Sequence, residues 1–193
     1  MAGAQKLCFV TVGATASFHE LIDAALRPDF LAALQNQNYT QLLVQYGVGN
    51  KAHFDKALAA SKAVSHNVTI NSFELDANGL NTYMLEARGT VTTAGVVISH
   101  AGSGTILDAL RLSVPLIVVP NASLLDNHQI ELAEALAEQG YVIHGQLNGL
   151  PQALLDAEVL AKRHQEWPPV NSGDHREVKG LRGIFDEEMG FLD

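Results

Sequence analysis

One stretch of the sequence, residues 95–129, constrains the fold more than any other part. The apolar run 96–98 precedes a glycine-rich turn and a segment with apolar residues at helical spacing, and a second apolar run at 115–120 precedes a polar loop. Short β-branched runs that alternate with helical patterns are typical of a parallel sheet. The stretch therefore predicts an α/β fold. The expected ligand site is the crevice beyond the carboxyl ends of its two strands.

The same alternation continues on both sides of this stretch. Further strands are predicted at residues 6–12, 42–44, 68–70 and 141–144. Helices are predicted near residues 18–26, 53–63, 80–87, 126–138 and 150–163. Pro28 is expected to end or kink the first of these helices. The pattern predicts a Rossmann-like parallel sheet flanked by helices, formed by residues 1–165 as one domain.

The last part of the chain, residues 166–193, differs in character from this domain. It is rich in charged residues, yet it also carries several large apolar side chains, among them Ile184, Phe185, Phe191 and Leu192. A solvated tail seldom holds so many apolar side chains. We therefore expect this extension to pack on its own domain or on a partner.

Charge and cysteine content narrow the possible functions. The net charge of −9 argues against a nucleic-acid-binding surface and against electrostatic docking on anionic lipid. The single cysteine, Cys8, excludes a disulfide framework and is expected to be buried in a strand. No secretory signal is recognised, and no apolar run approaches the roughly 20 residues of a membrane span. A cytoplasmic protein is expected.

The glycine-rich turn offers a candidate anion site. Gly102 and Gly104 let the backbone approach a ligand closely, and a helix that begins near Thr105 would aim free N–H groups at a diphosphate. Such glycines also occur for packing alone. Asp108 would be either a capping acid or an acceptor for ribose hydroxyls. His100 would be either a hydrogen-bonded structural histidine or a ligand contact.

The polar loop that follows the second strand carries three amide side chains, Asn121, Asn127 and Gln129. Each amide can both donate and accept hydrogen bonds, which suits the hydroxyl and acetamido groups of a sugar. An ordinary capped loop would have the same composition, because Asp126 and Gln129 fit a capping box.

Other kinds of site find little support in the sequence. Ser103 lies between Ala101 and Thr105, so the Gly-x-Ser-x-Gly motif of a hydrolase is absent. The histidines lack metal-ligand spacing, and no Asp-x-Asp, Walker loop or Gly-x-Gly-x-x-Gly after the first strand is present. No metal and no cofactor are expected.

Together these segments resemble the donor-binding half of the GT-B glycosyltransferases, and the resemblance covers most of the chain. The nearest relatives are the bacterial lipid I N-acetylglucosamine transferase and the cytosolic subunit of its eukaryotic, fungal-like counterpart that acts on dolichyl-diphosphate N-acetylglucosamine. The segments that carry the resemblance are 9–15, 45–47, 100–105, 108–110, 115–121, 126–129 and 186–193. Two positions depart from the pattern: Ala14 replaces a common threonine, and Asp108 replaces the usual glutamate.

The resemblance implies a domain equivalent to the C-terminal half of a GT-B enzyme, which binds UDP-N-acetylglucosamine. It implies inverting β1,4 transfer to dolichyl-diphosphate N-acetylglucosamine in N-glycan precursor synthesis. A membrane-anchored partner subunit would supply the acceptor half and hold the chain on the cytosolic face of the endoplasmic reticulum. The chain is expected to be active only with this partner, because it has length for only one of the two Rossmann-like domains.

The resemblance also implies a set of donor-binding residues. They are Gly13, Ala14, Thr15, His100, Gly102, Ser103, Gly104, Thr105, Asp108, Asn121, Asn127 and Gln129. No general base is assigned, and His19, just past the first loop, is the local candidate. The alternative function is a non-catalytic nucleotide-sugar-binding module that regulates a partner. A stand-alone epimerase is disfavoured, because such enzymes need both GT-B halves in one chain.

Overall fold

The computed structural model describes residues 5–14, 17–62, 66–121 and 128–166. In chain order the elements are β1 (Leu7–Thr11), α1 (His19–Ala25), α2 (Pro28–Asn36), β2 (Gln41–Gln45), α3 (Lys51–Ser61), β3 (Thr69–Phe73), α4 (Asn81–Arg88), β4 (Val96–His100), α5 (Ser103–Arg111), β5 (Leu116–Val119), α6 (His128–Glu138), β6 (Ile143–His144) and α7 (Leu150–Glu166). The described elements confirm the predicted α/β class.

The strands form one parallel sheet in the order β3-β2-β1-β4-β5-β6. The chain therefore builds outward from β1 in one direction and then from β4 in the other. The gap between β1 and β4 is the topological switch point, where ligands bind in open sheets of this kind. The predicted Rossmann-like sheet is confirmed.

The strand register places the relevant loops on one edge of the sheet. Thr11, at the end of β1, lies opposite both Gln45 of β2 and Ser99 of β4. His100, at the end of β4, lies opposite Val119 of β5. Because all these strands run parallel, the loops that follow β1, β2, β4 and β5 leave at the same edge. The predicted glycine-rich turn after β4 and the predicted polar loop after β5 therefore lie at the same edge of the sheet.

The apolar core occupies both faces of the sheet. Side chains of β1 such as Cys8 and Val10 pack under α1, α2, α3 and α7. The alternate side chain Phe9 packs on the other face, with residues of α4, α5 and α6. All five residues of β1 are buried, as expected for a central parallel strand covered on both sides.

The structure differs from the sequence prediction in two places. Pro28 is expected from the sequence only to end or kink the first helix, but it begins a second helix, α2. Its missing N–H costs no helical hydrogen bond at that position. The third strand extends to Phe73 and includes exposed polar residues, because β3 pairs only with β2 and forms an edge. Asp126 of the predicted capping box and residues 167–193 of the predicted extension lie outside the described residues.

A polar network joins α7 to the amino-terminal edge of the sheet. The Tyr39 hydroxyl donates to Glu158 Oε1 at 2.6 Å, and Lys6 Nζ lies 2.8 Å from the same oxygen. Burial, followed by the negative charge of Glu158, raises the pKa of Tyr39. Burial alone raises the pKa of Cys8 in β1. Both groups therefore stay protonated in the folded protein.

The free energy of unfolding is expected to fall as the pH rises above about 9, because the unfolded chain then loses protons that the folded chain keeps. The ordinary pKa is 9.0 for Cys8 and 10.0 for Tyr39, and each group is expected to contribute about 1.4 kcal/mol per pH unit beyond that value. Urea unfolding between pH 7 and 11 measures this decline. Cys8→Ala should delay its onset by about one pH unit; an unchanged onset would contradict the assignment.

Candidate functional site

The first turn of the site follows β1 and is held by buried side chains. Gly13 has a φ of +80°, a conformation that favours glycine. Its N–H donates to Thr11 Oγ1 at 3.2 Å, and its carbonyl accepts from Gln45 Nε2 at 3.0 Å. The Thr11 hydroxyl in turn donates to Gln45 Oε1 at 2.5 Å. Both polar groups of the Gly13 backbone are thus fixed by two neighbouring strands.

Gln45 is a site residue that the sequence analysis did not single out. Its side chain is 1% exposed, and it also donates to the Glu74 carbonyl at 3.2 Å. A signal was present, because Thr11 and Gln45 are polar residues at the ends of two apolar strands and lie directly opposite each other. The pairing itself could not be read from the sequence, since it depends on which strands are neighbours.

The second turn follows β4 and leads into α5. Gly102 is the N-cap residue, and no side chain caps the helix. The first N–H groups of α5, from Ser103 to Thr105, therefore carry the partial positive charge of a helix N-terminus without a capping acceptor. A Cβ built on Gly104 would meet nothing within 4 Å among the described residues outside its own helix. This combination of open space and backbone donors is suited to an anion.

His100 lies where the two turns meet. Its imidazole fills the space that a Cβ at either Gly13 or Gly102 would need. Burial lowers the pKa of His100, so the ring is neutral near pH 7. Its Nδ1 is buried and has no hydrogen-bond partner in the described part of the chain. Of the two alternatives for His100, a structural histidine would need a hydrogen bond at Nδ1 that the described residues do not supply.

The polar loop meets the loop that follows β1. Asn121, 5% exposed, donates from Nδ2 to the Ser17 carbonyl at 3.5 Å, and its N–H donates to Gln129 Oε1 at 3.2 Å. The structure thus brings the predicted residues Asn121 and Gln129 together at the carboxyl edge. The predicted residues Thr15 and Asn127 lie outside the described residues.

Three further residues predicted from the sequence, Asp108, Ala14 and His19, do not take part in the contacts between these loops. Asp108 lies on α5 and pairs with Arg111 at 3.3 Å, so it does not act as the capping acid. Ala14 is exposed beside Gly13. His19 begins α1 and turns toward α3, where its ring stacks on His53 with ring centroids 4.2 Å apart.

A buried amide fixes the orientation of the His19 ring. Asn50 Nδ2 donates to the Tyr46 carbonyl at 2.9 Å, so Asn50 Oδ1 faces His19 Nε2 at 2.7 Å. Because that oxygen only accepts, Nε2 of His19 carries the proton and Nδ1 is left as the basic nitrogen. His19 is thus held as a possible proton acceptor, although its contacts lie toward α3 rather than toward His100.

Two negative findings concern the described residues. Among them, no group of three or more His, Cys, Asp or Glu side chains is arranged to hold a metal ion. No helix in the same part of the chain is both long and apolar enough to cross a membrane.

Comparison with known proteins gives the family. The glycosyltransferase family 28 C-terminal domain matches residues 7–169. The UDP-N-acetylglucosamine transferase subunit ALG13 of Eremothecium gossypii is 38% identical over 148 residues, which cover 71% of this chain and 73% of that protein. The protein of the same name from Yarrowia lipolytica is 36% identical over 186 residues, which cover 96% and 86%.

Solved structures agree with this match. The NMR solution structure of ALG13 superposes with a TM-score of 0.61 at 27% identity, covering 90% of this chain and 94% of that one. MurG of Acinetobacter baumannii shares the fold, with a TM-score of 0.56 at 21% identity, and the match covers 85% of this chain but only 47% of MurG. The chain therefore belongs to the glycosyltransferase family 28 C-terminal domain family, as its resemblance to the donor half of the GT-B enzymes predicts.

Proposed function

We propose that this chain is the donor-binding subunit of a transferase that moves N-acetylglucosamine from UDP-N-acetylglucosamine to dolichyl-diphosphate N-acetylglucosamine. The family membership supports the reaction class. The names of the relatives support both the donor and the role of a subunit. The role of a subunit implies a second polypeptide, which would supply the acceptor half.

One observation carries the proposal. The uncapped start of α5 and the Gly13 turn lie at the same switch point, with open space above Gly104. A diphosphate placed there would face backbone N–H groups from the second turn, and the helix dipole would favour its charge. A nucleoside diphospho-sugar is the donor class that such a site accommodates.

The remaining donor contacts are proposed from the family resemblance. Asp108 would accept hydrogen bonds from the ribose, and its pairing with Arg111 leaves carboxylate capacity for them. Asn127 and Gln129 would hold the sugar, with Asn121 fixing the loop against Ser17. Ala14, Thr15, Ser103 and Thr105 would complete the two turns around the diphosphate.

The chemistry requires that the acceptor hydroxyl loses a proton as its oxygen attacks C1 of the sugar, while the bond from C1 to the diphosphate oxygen breaks and UDP leaves with the electron pair. The N–H groups at the uncapped start of α5 would stabilise the charge that grows on the diphosphate. The hydroxyl proton would pass to a base on the partner, or to Nδ1 of His19, which the Asn50 contact leaves unprotonated.

The partner would be anchored in the endoplasmic reticulum membrane and would hold this chain on the cytosolic face. The purified chain alone is then expected to transfer almost no sugar to a lipid acceptor, and addition of the partner should raise the rate by at least about a hundredfold, because proximity of acceptor and donor is supplied only in the complex. A transfer assay with UDP-N-acetylglucosamine, with and without the partner, measures this difference.

The assay also separates the proposal from its alternative. A regulatory nucleotide-sugar-binding module would bind the donor yet give no transfer in any complex. Full turnover by the chain alone would contradict the need for a partner. Transfer from other nucleotide sugars at equal rates would contradict the assigned donor.

A further inference from the structure

The imidazole of His100 lies against both glycine turns. A Cβ built on Gly13 would come within 2.7 Å of His100 Nε2, and a Cβ built on Gly102 would come within 2.8 Å of His100 Cε1. Such separations are closer than side-chain carbons approach other atoms. Both glycines are therefore required by this ring, in addition to any requirement from a ligand.

Hydrogen bonding within the described chain does not explain the position of the ring. Nδ1 of His100 is buried without a partner, and leaving a polar atom in that state is unfavourable. What the ring contributes is its volume, packed at the corner where the two turns approach each other. The first turn is rigid behind this contact, since Gly13 is held through both its N–H and its carbonyl.

The second turn is tied to the same residue through its backbone. The Gly102 N–H donates to the His100 carbonyl at 2.8 Å, and the Ser99 hydroxyl donates to that carbonyl at 2.6 Å. The position of Gly102, and with it the start of α5, therefore depends on His100 through both the backbone and the ring. A displaced ring would change the separation of the turns without breaking the sheet.

We propose that His100 is a positioning residue, whose ring sets the separation between the Gly13 turn and the Gly102 turn. This inference rests on the proposed function, since the two turns are the ones assigned to the diphosphate of the donor. It assigns the ring no contact with the donor: the size of the ring acts by placing the N–H groups at the start of α5 relative to the Gly13 turn.

A double-mutant cycle between His100 and Gly102 tests the inference. Gly102 has a φ of −81°, so alanine is free of backbone strain there, and the protein atoms nearest to its methyl group would be those of the His100 ring. We expect His100→Ala and Gly102→Ala each to raise the donor KM of the assembled enzyme about tenfold. Because both changes remove the same contact, the double variant should also show about a tenfold rise rather than about a hundredfold.

The matched control is Gly104→Ala, which adds the same methyl group two residues further along, away from the ring. Combined with His100→Ala, its effect on the donor KM should multiply, because the two side chains share no contact. The KM for the lipid acceptor should not change in any of these variants. A variant that merely contains less folded protein would show a lower maximal rate with both KM values unchanged.

The outcomes separate this inference from the proposed function. If His100→Ala leaves the donor KM unchanged, or if its effect multiplies with that of Gly102→Ala, His100 is not a positioning residue. If Gly104→Ala also leaves the donor KM unchanged, the donor does not bind at these turns and the proposed function fails as well. Gly102→Ala creates no cavity, so it reports on the ring even if His100→Ala does not fold.

Discussion

Replacing Gly104 by alanine is expected to lower kcat/KM for the donor about a hundredfold without lowering the stability of the protein. Gly104 lies in the first turn of α5, and a Cβ there would meet no atom of the described residues beyond its own helix within 4 Å. Alanine favours a helix over glycine by up to about 1 kcal/mol, so the melting temperature should stay the same or rise. The loss of activity would then come from the methyl group in the space assigned to the diphosphate.

Gly149→Ala is the matched control for this change. Gly149 is also at a helix start, because it immediately precedes α7, which begins at Leu150. A Cβ there would make only ordinary contacts, the nearest at 3.7 Å to the Gln146 carbonyl oxygen. Its donor kinetics should equal those of the parent. The test compares steady-state donor kinetics of the two variants in the assembled enzyme, together with their melting temperatures. Unchanged kinetics for Gly104→Ala would place the donor elsewhere.

Replacing Gln45 by leucine is expected to lower the free energy of unfolding by about 2–4 kcal/mol, which corresponds to a fall of about 5–15 °C in melting temperature. The change removes the donor to the Gly13 carbonyl and the acceptor of the Thr11 hydroxyl, both in buried surroundings. The Glu74 carbonyl is less affected, because it also accepts from the Gly47 N–H at 3.1 Å. Donor affinity should fall as well, since the first turn loses its support.

Gln41→Leu provides the control at the opposite end of the same strand. Gln41 is half-buried, and the structure gives its side chain no hydrogen bond within the described residues. Its stability should change by less than about 1 kcal/mol. Urea unfolding of both variants gives the comparison. Equal stability of Gln45→Leu and Gln41→Leu would show that the Gln45 contacts do not hold the first turn.

The order of strands and helices was readable from the sequence because burial on both faces gives β1, β4 and β5 continuous apolar runs. The helix α2 was not, since a proline that stops one helix also suits the first position of the next. The glycine turn at 102–104 was recognisable by its residue types. The contact of His100 with Gly13 was not, because it joins residues from two strands that are neighbours only in the folded sheet.

The same contact changes how the glycines are interpreted. From the sequence, Gly102 is expected either to let the backbone approach a diphosphate or to serve packing alone, and nothing indicates which side chain it would pack against. In the structure, a side chain at Gly102 meets the His100 ring first, whereas one at Gly104 meets open space. Gly104 is therefore the position at which a substitution reports on the ligand alone.

The central claim is that the donor lies on the two turns at the switch point, and an amide-resolved NMR titration of the ¹⁵N-labelled chain with UDP-N-acetylglucosamine tests it most directly. The account predicts saturable shifts that are largest for the amides of Gly13, Gly102, Ser103 and Gly104, with little change at Gly140 or Gly149. Saturable binding that leaves the amides of both turns unshifted, or no saturable shift at millimolar donor, would contradict it.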